Sequence, residues 1–297
     1  MPRFLTVSAL IVGAVALWLA LGGASWLGAQ AVEGQRLAQD ALAGAIRRLR
    51  AGEPGAIASL MGICFAYGFF HAAGPGHGKV LIGGYGVARN VPLGRLAGLA
   101  LASSLAQAAT AVALVYGALM VLGWGRSDLQ GAADGWLNQL SYAAIAGIGL
   151  WLMVRGLVRL HRQFGGPEPK AAVCTQCGHA HGPSIEDAAN TTTLREALSI
   201  VAAVAVRPCT GALFLLVLTW QLNVAAAGIA GTIAIAIGTA SVGLVVAVGA
   251  VTLRAGAITR LADLAGGQAG ARVLAGVEAA AGAAIVAITL PIVLAAL

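Results

Sequence analysis

Charge is scarce in this sequence. Only 10% of its 297 residues are Asp, Glu, Lys or Arg, where a soluble globular chain averages about 25%, and mean hydropathy is +0.86. The shortage excludes an ordinary soluble domain or pair of domains. Aromatic side chains are also few, at 5%, while 42 glycines and abundant alanine supply the small residues that let membrane helices approach closely. Four cysteines do not make a disulfide framework: Cys64 and Cys209 lie in apolar runs, and Cys174 and Cys177 share a polar loop. A Walker-type phosphate-binding motif is missing, so this chain does not itself use ATP, although a separate ATPase partner stays open. The formal charge of +7 would suggest nucleic acid in a soluble domain. Here the arginines fall between apolar runs and serve as loop anchors, so no nucleic-acid partner is expected.

What remains is long apolar sequence. Runs of about 20 apolar residues cross a bilayer core as a helix. Seven such runs occur, near 4–28, 56–78, 93–123, 137–160, 196–222, 224–252 and 271–296. They predict an all-α membrane protein of about seven transmembrane helices, or six if the first is a cleaved signal. Ala29-Gln30-Ala31 fits a signal-peptidase site, but the preceding run exceeds the usual ~7–15 apolar residues of a signal core, which favours an uncleaved anchor.

Orientation follows from basic residues. With the N-terminus inside, the cytoplasmic segments hold Arg3, Lys79, Arg89, Arg95, Arg155, Arg159, Arg162, Lys170, Arg195, Arg254, Arg260 and Arg272. The outer segments hold the smaller set Arg36, Arg47, Arg48, Arg50 and Arg126. The positive-inside rule therefore predicts an inner-membrane protein with loop 161–194 in the cytoplasm and the C-terminus outside. The expected organisation is an anchor or signal over 1–29 and an outer-surface amphipathic segment over 30–55, its apolar face carrying Leu37, Ala41, Ile46 and Leu49. A three-helix half over 56–160, the cytoplasmic loop 161–194 and a second three-helix half over 195–297 follow. Three helices per half makes the halves inverted. The first helix of each is interrupted, by Gly74-Pro75-Gly76 in one and Arg207-Pro208-Cys209 in the other. Secondary transporters build their sites where paired helices are broken in this way.

Proline removes a backbone donor and clashes with the preceding turn. The freed carbonyls then need a partner where there is no water, and a partly dehydrated cation is one. His71 and His77 flank the first break. On an unbroken helix they would point about 240° apart, so only the break lets them converge on a metal. Neutral imidazole suits Ni²⁺, Co²⁺, Zn²⁺ and Cu²⁺. Cys209 offers a sulfur ligand at the second break. Ser103, Gln107 and Thr110 follow helical spacing and make a polar stripe that would line the same path. Arg207 and Glu278 are pathway or coupling candidates: Arg207 as partner of Glu278 or as a restraint on leakage, Glu278 alternatively as a proton carrier.

The loop carries Cys174, Cys177, His179 and His181 within eight residues, a metal-binding cluster in a compartment that keeps thiols reduced. Its ligands take Zn²⁺ as readily as Ni²⁺, and a structural zinc knuckle is the plainer use.

These residues together resemble the NicO/RcnA group of nickel and cobalt permeases. The likeness rests on His71-Ala-Ala-Gly-Pro-Gly-His77-Gly-Lys79, on the Arg207-Pro208-Cys209 helix and on the His-bearing loop, and by order of elements it spans 56–297. It implies nickel or cobalt efflux, with the metal as cargo and no prosthetic group, and no enzymatic activity. The first motif also resembles, at greater distance, the histidine motif of NiCoT importers, which has acidic residues where this chain has Gly-Pro-Gly. Two other functions stay open: a thiol–disulfide electron carrier resembling CcdA and DsbD, using Cys64 and Cys209, and a metal-sensing subunit. Homo-oligomerisation is also open.

Overall fold

The computed structural model describes residues 22–74, 77–123, 126–164 and 194–295. Over these the chain is all-α, with eleven helices and no strand among the described residues. In chain order they are α1 (Ala24–Arg50), α2 (Ala56–Ala73), α3 (His77–Ala88), α4 (Leu93–Gly117), α5 (Arg126–Asp134) and α6 (Trp136–Phe164). Then follow α7 (Leu194–Ala205), α8 (Thr210–Gln221), α9 (Ala225–Leu253), α10 (Thr259–Ala265) and α11 (Gly267–Leu294). Short π-helical turns, Ala118–Leu122 and Arg254–Ile258, extend α4 and join α9 to α10. Five stretches are long and apolar enough to cross a membrane: Ala56–Ala73, Leu93–Val121, Ser127–Phe164, Ala225–Ala265 and Gly267–Leu294. A sixth exists if α7 and α8, bent by 62°, count as one span. These follow the six later apolar runs of the sequence; most of the first, 4–28, lies outside the described residues.

The break expected in each half is present. At the first, α2 ends at Ala73, and Gly74 leaves helical geometry at φ −65°, ψ 172°. At the second, Cys209 is extended at φ −76°, ψ 135° and caps α8, its Sγ accepting from Ala212 N–H at 3.3 Å. The pairing of helices repeats between the halves. The third helices, α6 and α11, pack along each other, and so do the second helices, α4 and α9. Each second helix also packs on the broken first helix of the other half: α9 on α2 and α3, α4 on α7 and α8.

Two apolar clusters lie at different levels of this bundle. One gathers Leu42, Ile46, Leu60, Cys64 and Tyr67 with Ala111, Val115, Leu215 and Ile235. The other gathers Leu81, Tyr85, Leu96, Leu99, Ile145, Ile200, Ala247 and Ile285. Helix α4 contributes Ala100 to one and Ala111 to the other, about 16 Å apart at 1.5 Å per residue. The polar residues Ser103, Ser104 and Gln107 fall between them, at the level of both breaks.

Helix α1 lies beside the first half, with Leu49 against the first apolar cluster. It packs on α2, but the buried face is Ala38, Leu42, Ala45 and Ile46; Leu37 and Ala41 are exposed. Leu37 and Ala41 share a helical face with each other, yet the contact with α2 selects the face about one residue further along.

Candidate metal pathway at the helix breaks

His71 sits in the last turn of α2 and His77 opens α3, so the two histidines flank the break as expected. The His71 ring stacks on Tyr67, centroids 5.9 Å apart and planes 8° from parallel. Tyr67 is fully buried, and its hydroxyl accepts from Gln35 Nε2 at 3.3 Å. The Tyr67 ring lies against Gly211, where a Cβ would come within 2.2 Å of it. Gly211 is two residues past Cys209, so Tyr67 is the wedge through which the two breaks meet.

Lys79 departs from expectation. It counts as a cytoplasmic loop residue in the sequence, but it lies in the first turn of α3 and its ammonium donates to the carbonyls of Ala73, at 3.1 Å, and Gly74. The carbonyls freed at the break are thus satisfied by a tethered cation of the chain itself. A lysine at a helix C-terminus also meets the negative end of the helix dipole.

At the second break, Gln107 Nε2 donates to the Arg207 carbonyl at 3.1 Å. A cavity opens beside it, lined by Ser104, Gln107, Cys209, Thr232 and Thr239 among small apolar residues, with about 10 Å³ of room for the centre of a water-sized sphere. That is space for about one water or one ion stripped of its water. Of the polar stripe on α4, only Gln107 lines the cavity. Ser103 is buried with no hydrogen-bond partner among the described residues, and Thr110 donates back to the Ala106 carbonyl. Ser104, Thr232 and Thr239 were not singled out from the sequence. Thr232 and Thr239 are seven apart, two turns on one face, which is the signal that could have found them.

Arg207 and Glu278 do not pair. Arg207 reaches Asp134 at 3.8 Å and lies over the Tyr142 ring at 6.0 Å. Glu278 instead meets Arg159 at 3.0 Å, Arg155 at 3.4 Å and Arg89 at 3.9 Å. Glu196 joins the same network through Arg89, Arg155 and a 3.0 Å bond from the Tyr85 hydroxyl. Arg89 and Arg155 both lie over the Trp151 ring. Arg89 and Arg155, counted as loop anchors in the sequence, are instead part of a network tying α3, α6, α7 and α11 together at one end of the bundle.

Among the described residues no three His, Cys, Asp or Glu side chains gather as a metal cluster. The loop ligands Cys174, Cys177, His179 and His181 lie outside the described residues, as does the side chain of His77. Cys64 is fully buried in an apolar cluster, and Cys64 and Cys209 are free thiols. A buried thiol among apolar neighbours is poorly placed for exchange, so the electron-carrier reading gains no support.

Comparison with known proteins agrees with the resemblance read in the sequence. Residues 57–172 match the family model NicO, described as a high-affinity nickel-transport protein. Over 194 residues the chain is 30% identical to a protein of Haemophilus influenzae whose name assigns it, provisionally, to nickel/cobalt efflux. That alignment takes in 59% of this chain and 60% of the relative, so the chain spans less than two thirds of the curated relative's length. No solved structure matches the chain.

Proposed function

We propose that this NicO-like chain moves nickel or cobalt ions outward across a bacterial inner membrane, along a path that runs through its two helix breaks. The observation that carries the proposal is the placement of both breaks at one polar level between two apolar clusters, each break flanked by metal-capable side chains. His71 and His77 are the imidazole ligands at the first break, and Cys209 is the sulfur ligand at the second. The two halves act as inverted repeats that exchange access between the faces of the membrane. The efflux direction takes its support from the name of the Haemophilus influenzae relative.

The test is flux. Cells producing the chain should hold less nickel and cobalt than cells without it, and proteoliposomes should carry Ni²⁺ or Co²⁺. His71→Ala and His77→Ala should each abolish that flux while the protein still purifies as a folded, monodisperse species. Normal flux in both variants would remove the histidines from the pathway. The cytoplasmic cluster has an accessory role, capturing metal at the mouth of the path. Replacing Cys174, Cys177, His179 and His181 together should raise the metal concentration for half-maximal flux more than it lowers the maximal rate. Complete loss at saturating metal would instead place the loop in the permeation path.

A further inference from the structure

The hydrogen bonds around the cavity at the second break run one way. Ser104 Oγ donates to the Ala100 carbonyl at 3.0 Å, and Thr232 Oγ1 donates to the Gly228 carbonyl at 2.9 Å. Thr239 Oγ1 donates across helices to the Gly68 carbonyl at 3.2 Å. Each hydroxyl has one proton to give, and each gives it to a backbone oxygen. Gln107 directs its amide nitrogen to the Arg207 carbonyl, which fixes its Oε1 as the oxygen end of the group. Cys209 Sγ accepts an amide proton from its own helix.

Each hydroxyl has thus spent its proton on a backbone carbonyl and has only lone pairs left to offer. A water there would find acceptors on several sides and few donors. A cation has no such mismatch.

From this the geometry points to a cation-binding cage formed by Ser104, Gln107, Cys209, Thr232 and Thr239, the place where a single Ni²⁺ or Co²⁺, its waters replaced by these side chains, rests in transit. This rests on the transport reading and locates its cargo. The donor set is mainly hydroxyl and amide oxygen with one sulfur. Oxygen ligands alone suit harder ions, while thiolate is the softer ligand that favours later transition metals; a metal-bound cysteine is the thiolate. Such a mixed, largely neutral set binds less tightly than a cluster of thiolates and imidazoles, as a site that must release its ion requires. The N-terminus of α8 opposes a cation here, and the Cys209 sulfur stands between that helix end and the cavity.

The experiment measures Co²⁺ binding to the full chain in detergent. The four loop ligands are replaced (Cys174→Ser, Cys177→Ser, His179→Ala, His181→Ala) so that only membrane sites report. Bound Co²⁺ should show thiolate-to-cobalt charge-transfer absorption that disappears in Cys209→Ser and persists in Cys64→Ser. Gln107→Leu and Thr239→Val should each weaken binding by about 10–100-fold, the loss typical even of a metal site's supporting partners. Thr239→Ser, which keeps the hydroxyl, should restore it. Should Thr239→Val fail to fold, Gln107→Leu and the charge-transfer band carry the same test. Unchanged affinity in Gln107→Leu, or a band indifferent to Cys209→Ser, would overturn the cage. Cobalt bound in the cage by a chain that gives no flux would sink the transport reading and leave the cage. Normal flux with no binding effect of Gln107→Leu or Thr239→Val would sink the cage alone.

Discussion

Glu278→Ala is expected to be among the most damaging single substitutions in the chain, lowering stability by about 3–5 kcal/mol. Glu278 is 1% exposed and faces three guanidiniums at 3.0, 3.4 and 3.9 Å. Removing its carboxylate takes the nearest counter-charge from Arg159 and Arg155 and one counter-charge from Arg89, itself 2% exposed. An uncompensated charge in a low-dielectric interior is the expensive outcome; the net worth of the intact network is smaller. Glu33→Ala is the control. Glu33 pairs with Arg36 three residues away in an exposed setting, their side chains 52% and 66% exposed, and such a pair is worth about 0–1 kcal/mol. Thermal unfolding of the two purified variants, followed by loss of monodispersity, should separate them widely. Equal midpoints would show that the network at this end of the bundle does not hold the halves together. The same geometry bears on coupling. Arg89, Arg155 and Arg159 surround the Glu278 carboxylate, and the excess of arginines repels a divalent cation. Those contacts join Glu278 to the ends of α3 and α6.

The sequence made the transmembrane runs legible because hydropathy over about 20 residues is a strong signal, and both breaks because proline and glycine act on the local backbone. Neither depends on knowing a partner helix. Partners decide what was missed. Ser103 and Ser104 lie four and three residues before Gln107, and both spacings put neighbours on one helical face. Only the position of α9 and α8 selects Ser104 for the cavity and leaves Ser103 buried elsewhere. The pairing of Arg207 with Asp134 and of Glu278 with three arginines was hidden for the same reason, since every one of those contacts joins segments distant in the chain. The contacts of Lys79 and Arg89 were hidden for a different reason. The positive-inside count uses basic residues near span ends only to choose a side; it does not reveal that Lys79 caps broken helix carbonyls or that Arg89 meets Glu196, Glu278 and the Trp151 ring.

The close crossing of α2 and α9 gives the second large effect, in a pair of otherwise identical substitutions on one helix. At Gly68 an added Cβ would come 2.0 Å from the Ile235 carbonyl oxygen; reciprocally, one at Gly238 would come 2.2 Å from the Phe65 carbonyl oxygen. Carbon–oxygen contacts between helices settle near 3.3–3.6 Å, so Gly68→Ala must open the crossing by more than about 1 Å. Backbone atoms supply the clash, and no side-chain rotation relieves it. Overpacking of this kind costs about 1–3 kcal/mol, and here it also pulls the Gly68 carbonyl from the Thr239 hydroxyl that lines the cavity. Gly62 lies on the same helix with nothing within 4 Å of its would-be Cβ. Gly62→Ala should therefore be neutral or should gain up to about 1 kcal/mol of helix propensity. Thermal midpoints in detergent should fall for Gly68→Ala and hold or rise for Gly62→Ala. Any Gly68→Ala protein that stays folded should bind Co²⁺ more weakly than the parent, because Thr239 is then free to turn its proton into the cavity. Matching midpoints would show that α2 and α9 are not held in backbone contact. A normal midpoint with weakened cobalt binding would show instead that the crossing yields easily and that its role is to aim Thr239.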